Sequence, residues 1–188
     1  MDVLAGADFF TVEVLTWRGL VTYYVLFFIE VGARRVSLGG ITRHPDSCWM
    51  QQVARNATMQ DTGYLNGCRY LLHDRDKKFC RDFRETLAAG GVKCMALPAR
   101  SPNLNAHAER WVRSIKEECL SKLILLGENS LRRVVGEYLE HFHHERNHQG
   151  KGNVLLFPLS AVRESITTRG LRCRERLGGL LKYYSRAA

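Results

Sequence analysis

The chain has 188 residues, 45% hydrophobic and 25% charged, a balance that suits a folded domain with its own core and excludes wholesale disorder. Lys and Arg number 28 against 19 Asp and Glu, and the resulting +9 points to a polyanionic partner, which clustered cations attract and strip of counterions. The longest apolar run, Val21 to Ile29, stops at Glu30, far short of the ~20 residues that span a bilayer, so no membrane partner is expected. Met1-Asp2 lacks the basic and then apolar start of a secretory signal, and the expected location is the cytoplasm. Cys48, Cys68, Cys80, Cys94, Cys119 and Cys173 show no CxxC spacing and read as reduced thiols, not as a disulfide framework or a zinc knuckle. The charge is graded: residues 1–60 carry five basic and five acidic groups, 61–120 eleven and eight, and 121–188 twelve and six.

Residues 9–14 (FFTVEV) are β-branched and aromatic and predict a strand. A Trp17-Arg18-Gly19 turn leads into the apolar run 21–31, whose lack of alternation predicts a strand covered on both faces. Residues 36–42 supply a third strand, and the short connections predict an antiparallel meander. His44-Pro45-Asp46 opens a helix with Trp49, Met50, Val53, Ala54 and Ala57 as its stripe and Pro45 suited to its first position. Tyr70 to Leu72 is a short strand ending in His73-Asp74-Arg75-Asp76; a helix over 78–89 ends at Gly90-Gly91; Val92 to Leu97 is a fifth strand. Long helices are predicted over 105–126 and 130–145, the latter with Leu131, Val134, Val135, Tyr138, Leu139 and Phe142 on one face. The order β-β-β-α-β-α-β-α-α predicts an α/β domain with a five-stranded mixed sheet flanked by helices, and it resembles the order of ribonuclease H-like domains. Residues 1–153 form the core in this reading and 154–188 a basic C-terminal tail.

Three carboxylates fall where a sheet-based site would want them. Asp8 opens the first strand, Asp74 ends the fourth at the carboxyl edge where open α/β sheets present ligands, and Glu109 begins the long helix. Each has an ordinary structural explanation as a turn, cap or first-turn acid. Brought together, the three would repel, and a hard divalent cation resolves the conflict: Mg²⁺ takes oxygen ligands and leaves water for a substrate phosphate. Two such ions, with Mn²⁺ as a substitute, would activate an attacking oxygen and stabilise a leaving 3′-oxygen.

The segment Ser101 to Arg110 (SPNLNAHAER), continuing WVRSIKEEC, resembles the third-acid motif of insertion-sequence transposases and retroviral-type integrases. Leu72-His73-Asp74-Arg75-Asp76 resembles their second-acid strand end, Asp8-Phe9-Phe10-Thr11 their first-acid strand, and Phe142 to Gly150 the Y-N-x-x-R-x-H element that follows the core. The chain thus resembles, over about residues 7–153, the DDE transposase/integrase catalytic core of the rve type. That resemblance implies that Asp8, Asp74 and Glu109 hold two Mg²⁺ ions for 3′-end cleavage by water and strand transfer by the freed 3′-OH. The implied partners are DNA, both element ends and target, and further copies of the chain, with no small-molecule substrate. Asp76 is the rival to Asp74 but fits the family word less well and reads as a cap of the next helix.

Arg113 and Lys116 lie four and seven residues beyond Glu109, on its helix face, where integrases grip the DNA end; Asn105, Arg146 and His148 complete the expected DNA contacts. His141, His143, His144 and His148 do not have zinc spacing and read as a polar helix end. Trp49 and Trp111 read as packing residues. Transposases of this group usually carry an end-recognising helix-turn-helix ahead of the core, and the seven residues before Asp8 hold none, so a truncated or separately encoded core is expected. The alternatives are a catalytically silent DNA-binding remnant and a metal-dependent nuclease that only hydrolyses.

Overall fold

β1 (Leu4–Thr16) and β2 (Gly19–Glu30) form a long antiparallel hairpin closed by the two-residue turn Trp17-Arg18, with Gly19 at φ +100° where a side chain would be strained. The structure, a computed structural model, describes residues 4–98, 106–148, 151–158 and 171–186. β3 (Val36–Thr42), α1 (Ser47–Ala57), β4 (Tyr70–His73), α2 (Arg81–Ala89), β5 (Lys93–Ala96), α3 (Ala106–Glu118), α4 (Gly127–His144), β6 (Leu171–Arg176) and β7 (Leu181–Arg186) come after it in chain order. The chain divides into two compact units, Met1–Ser114 and Ile115–Ala188.

The first unit holds the five-stranded sheet, in the order β3-β2-β1-β4-β5. β1, β2 and β3 are the expected antiparallel meander, and β4 and β5 add in parallel, β4 against the start of β1. Val25 to Ile29 are all buried, as their unbroken apolar run requires of a strand covered on both faces. On one face Ala5, Ala7, Leu26, Phe28 and Leu71 pack with Met50, Val53, Ala54 and Ala57 of α1 and Phe83 and Leu87 of α2. On the other, Trp111 of α3 sits with its ring centroid 4.3 Å from Phe27 and 5.7 Å from Phe10. Burying rings of this size stabilises by roughly 2–3 kcal/mol each, which fixes α3 to that face. At one edge β3 carries a bulge, since Leu26 pairs Gly40 and Phe27 pairs Leu38; at the other edge β5 is four residues long and exposes Lys93 and Met95.

Several boundaries differ from expectation, each for a local reason. β1 begins at Leu4, so Asp8 lies inside the strand and does not open it; Leu4-Ala5-Gly6-Ala7 has little strand propensity but pairs in register with Tyr70 to His73. Asp46 is the cap of α1, its carboxylate accepting from the Trp49 N–H at 2.8 Å, which leaves Pro45 just outside the helix. α2 starts three residues late because Asp76 first closes a turn by accepting from the Lys78 N–H. Gly91 takes the left-handed conformation expected after α2, at φ +83°. α3 stops at Glu118; a 3₁₀ turn over Leu120–Lys122 comes next, and Gly127 at φ +72° turns the chain into α4.

In the second unit α4 buries Leu131, Val134, Val135, Tyr138, His141 and Phe142. Residues 171–186, part of the stretch expected as a basic tail, form the antiparallel hairpin β6–β7. Among the described residues no helix is long and apolar enough to cross a membrane. All six cysteines are free thiols; Cys68 and Cys119 are buried, and burial pushes Cys94 and Cys119 up to about 11.

Candidate functional site

Asp8 and Asp74 occupy matching positions on neighbouring parallel strands. Ala7 pairs His73, so each aspartate is the next residue along from that pair, and adjacent strands run only ~4.8 Å apart. Strand alternation gives the side of Asp8: Ala5 and Ala7 belong to the core under α1 and α2. Asp8 therefore shares the opposite face with Phe10, and its cross-strand partner Phe27 packs on Trp111. That face is the one α3 covers, and Glu109 stands in the first turn of α3, two residues before Trp111.

The local bonding fixes backbone more than carboxylates. One Asp8 oxygen accepts from the Phe9 N–H at 2.8 Å, and one Asp74 oxygen accepts from the Asp76 N–H at 3.0 Å, a side-chain turn of the kind Asp favours. Neither Asp74 nor Glu109 forms an ion pair among the described residues, and Arg113, one turn beyond Glu109, forms none either. Asp76 is occupied: Lys78 bonds it through both its N–H and its ammonium, and Lys78 also lies 5.3 Å from the Phe9 ring centre and 5.4 Å from that of Tyr24. Asp76 thus closes the turn ahead of α2 instead of capping the helix itself.

By donor chemistry the acids fit a hard divalent cation, offering only carboxylate oxygens. Among the described residues, however, no group of three or more His, Cys, Asp or Glu side chains comes together as ligands of one ion must. Two of the three acids are neighbours by strand register, and the third, Glu109, is exposed in the first turn of α3.

His73 is a participant to which the sequence alone assigns no role. Its ring is 3% exposed and 4.7 Å from the Phe79 ring centre, and its Nδ1 lies 2.6 Å from the Asp74 carbonyl oxygen. A carbonyl only accepts, so Nδ1 carries the proton; burial holds the ring below its ordinary pKa and keeps it neutral. The signal that could have found it is its place immediately before the acid at a strand end.

The remaining expected DNA contacts are dispersed. Arg113 is exposed on α3 in the first unit, and Lys116, also exposed, comes after it in the second. Asn105 lies outside the described residues. Arg146 is committed to Glu118, with Nη2 at 2.6 Å and Nε at 2.9 Å, and Tyr138 donates to the same carboxylate at 3.1 Å. His148 is buried, its Nε2 2.8 Å from the Phe142 carbonyl. His141 donates to Glu145 at 3.1 Å, so this histidine belongs to a polar helix end. Nothing in the sequence signals the two arginine partners of Glu145, Arg174 and Arg176, which come from 29 and 31 residues later.

Residues 90–154 match the family described as the integrase core domain. Among solved structures, the HTLV-2 integrase catalytic core domain in complex with magnesium aligns with a TM-score of 0.60 at 14% identity, covering 79% of this chain and 91% of that one. A chain of the simian T-cell lymphotropic virus intasome aligns with a TM-score of 0.60 at 12% identity, over 98% of this chain and 67% of that one. The catalytic domain of the Mos1 mariner transposase aligns at 0.56 and 15% identity, over 73% and 70%. No curated protein sequence matches.

Proposed function

From a chain that has the ribonuclease H-like fold of integrase and transposase catalytic cores and matches the integrase core domain over residues 90–154, we propose a polynucleotidyl transferase that cleaves DNA 3′ ends and joins them to other strands. The observation that carries this reading is the β1–β4 register, with Asp8 and Asp74 each one residue beyond the Ala7–His73 pair.

Asp8, Asp74 and Glu109 would hold two Mg²⁺ ions, for which Mn²⁺ would substitute. When bound, these ions supply charge for an attacking oxygen and for the leaving 3′-oxygen. In the first reaction water attacks phosphorus, the bond to the 3′-oxygen breaks, and that oxygen leaves as a 3′-OH. In the second the 3′-OH attacks a phosphodiester of another strand, whose own 3′-oxygen leaves, so the number of phosphodiester bonds is conserved. The protein's part would be positional: β1 and the end of β4 would hold two acids side by side, α3 would bring the third, and Asn105, Arg113 and Lys116 would hold the DNA backbone through its phosphates. Arg146 and His148, expected as further DNA contacts, are engaged inside their own unit with Glu118 and the Phe142 carbonyl. Processing two DNA ends together calls for more than one copy, and the HTLV-2 integrase core is known in a dimeric form.

The test is a pre-branched DNA that mimics a joined end, incubated with Mg²⁺ or Mn²⁺ and the wild-type chain, Asp74→Asn or Glu109→Gln. Metal-dependent resealing that vanishes in both variants is the expected result. Hydrolysis without joining would make the chain a nuclease, and binding without chemistry a silent remnant.

A further inference from the structure

The β1–β2 hairpin is longer than the sheet it belongs to. β4 pairs with β1 only over Leu4 to Ala7, and β3 pairs with β2 only from Tyr24 onward, so beyond the Thr11–Tyr24 pair the two strands pair with each other alone. β1 thus ends as a two-stranded ribbon from Val12 to its turn, with Trp17 nine residues and about 30 Å along from Asp8. At its tip Trp17 is 88% exposed, and the Arg18 guanidinium lies 4.3 Å from the Trp17 ring centre. Arg18 forms no ion pair among the described residues. The nearest acid on the ribbon, Glu13, accepts from the Thr22 hydroxyl at 2.6 Å. The two-residue turn is braced by the Thr16 hydroxyl, which donates to the Gly19 carbonyl at 2.8 Å and accepts from the Arg18 N–H at 3.2 Å. Leu15 and Leu20, a cross-strand pair just behind it, are exposed.

An exposed indole with an unneutralised guanidinium on a braced turn has little reason to exist for folding. Its chemistry matches an unpaired nucleobase, whose flat face stacks on the indole while its phosphate meets the arginine. We infer that the Trp17–Arg18 tip binds unpaired bases of the DNA that lies at the Asp8 strand, gripping splayed or flanking nucleotides at a distance from the acids. This rests on the proposal that the chain handles DNA, but not on its catalysing strand transfer.

The experiment measures binding of the full chain to a labelled forked DNA with an unpaired arm and to the fully paired duplex of the same sequence. Ca²⁺ replaces Mg²⁺ so that binding is read without chemistry. Trp17→Ala and Arg18→Ala should each weaken forked-DNA binding, the first about tenfold, with duplex binding changed by less than about twofold and Trp17→Phe retaining most of the affinity. Circular dichroism should be unchanged, since this side chain contributes little to the fold. Equal affinity of wild type and Trp17→Ala for the forked DNA overturns the inference. So does a fall in sedimentation mass on Trp17→Ala, which would make the tip a contact between copies. A chain that fails to reseal branched DNA but binds forked DNA through Trp17 would sink the transferase proposal and leave the tip standing.

Discussion

Asp74 and Glu145 both come directly after a regular element, one after β4 and one after α4, and their surroundings are opposites. Glu145 is 4% exposed; Arg176 grips it at 2.9 Å through both Nε and Nη2, Arg174 reaches it at 3.4 Å and His141 donates at 3.1 Å. Arg176 also spans to Glu137 at 2.7 Å, tying the β6–β7 hairpin to α4. Asp74, by contrast, is half-buried and receives one backbone N–H. A carboxylate whose lone pairs are filled by fixed cations is a structural joint, because adding a ligand would break bonds already made. One that keeps open lone pairs can still accept a ligand without breaking a bond already made.

Asp74→Asn offers the sharpest way to break the contrast. Resealing of branched DNA should fall at least ~100-fold, about 3 kcal/mol of transition-state stabilisation, while thermal melting stays where it was. A melting change as large as that of a Glu145 variant would put Asp74 among the structural joints. Glu145→Gln should do the reverse, lowering stability to urea by about 3 kcal/mol as a buried ion pair is broken, with Asp8 and Asp74 untouched.

The pH dependence tests the Glu145 side of the contrast. Burial pushes the Glu145 carboxyl up, but hydrogen bonds from Arg176, His141 and Arg174 outweigh it and hold the group below its ordinary value. Its stabilisation is therefore complete above the unfolded value of about 4.3 and is lost as pH falls below it toward the folded one. Asp76 and Asp82 are also held low, so the measurement is the difference in acid unfolding between wild type and Glu145→Gln: the wild type should lose more on going from pH 7 to pH 4. A smaller effect lies outside both regions. Asp46→Ala removes the α1 cap and should cost about 1 kcal/mol by urea unfolding without affecting DNA resealing.

How much of the fold is legible in the sequence depends on how far apart the cooperating residues lie. β2 is legible because its apolar run, unbroken from Tyr23 to Ile29, needs cover on both faces, and the Asp46 turn because a cap acts within one helical turn. The start of β1 is not, because Ala5, Gly6 and Ala7 become strand by pairing with residues 28–30 on one side and 71–73 on the other. Nor is the hairpin at 171–186, which is anchored by Arg176 reaching an acid 31 residues earlier. The two aspartates can be picked out along the chain, but only the parallel register relates them to each other in space. Arg146 and His148 read as DNA contacts from their motif, while their partners Glu118 and the Phe142 carbonyl are evident only in the fold.

The two ends of the sheet carry a consequence for how copies of this chain can meet. Exposed strand edges invite other chains to continue the ladder, a route to uncontrolled polymerisation. Here β5 offers four residues with a lysine among them, and β3 is broken by its bulge at Gly39, where an added Cβ would meet the Phe28 ring at 2.6 Å. A neighbour adding to either margin would gain only a brief, interrupted run of backbone bonds. Both margins of the five-stranded sheet thus resist continuation, and copies meeting at β3 or β5 would have to do so through side-chain surfaces.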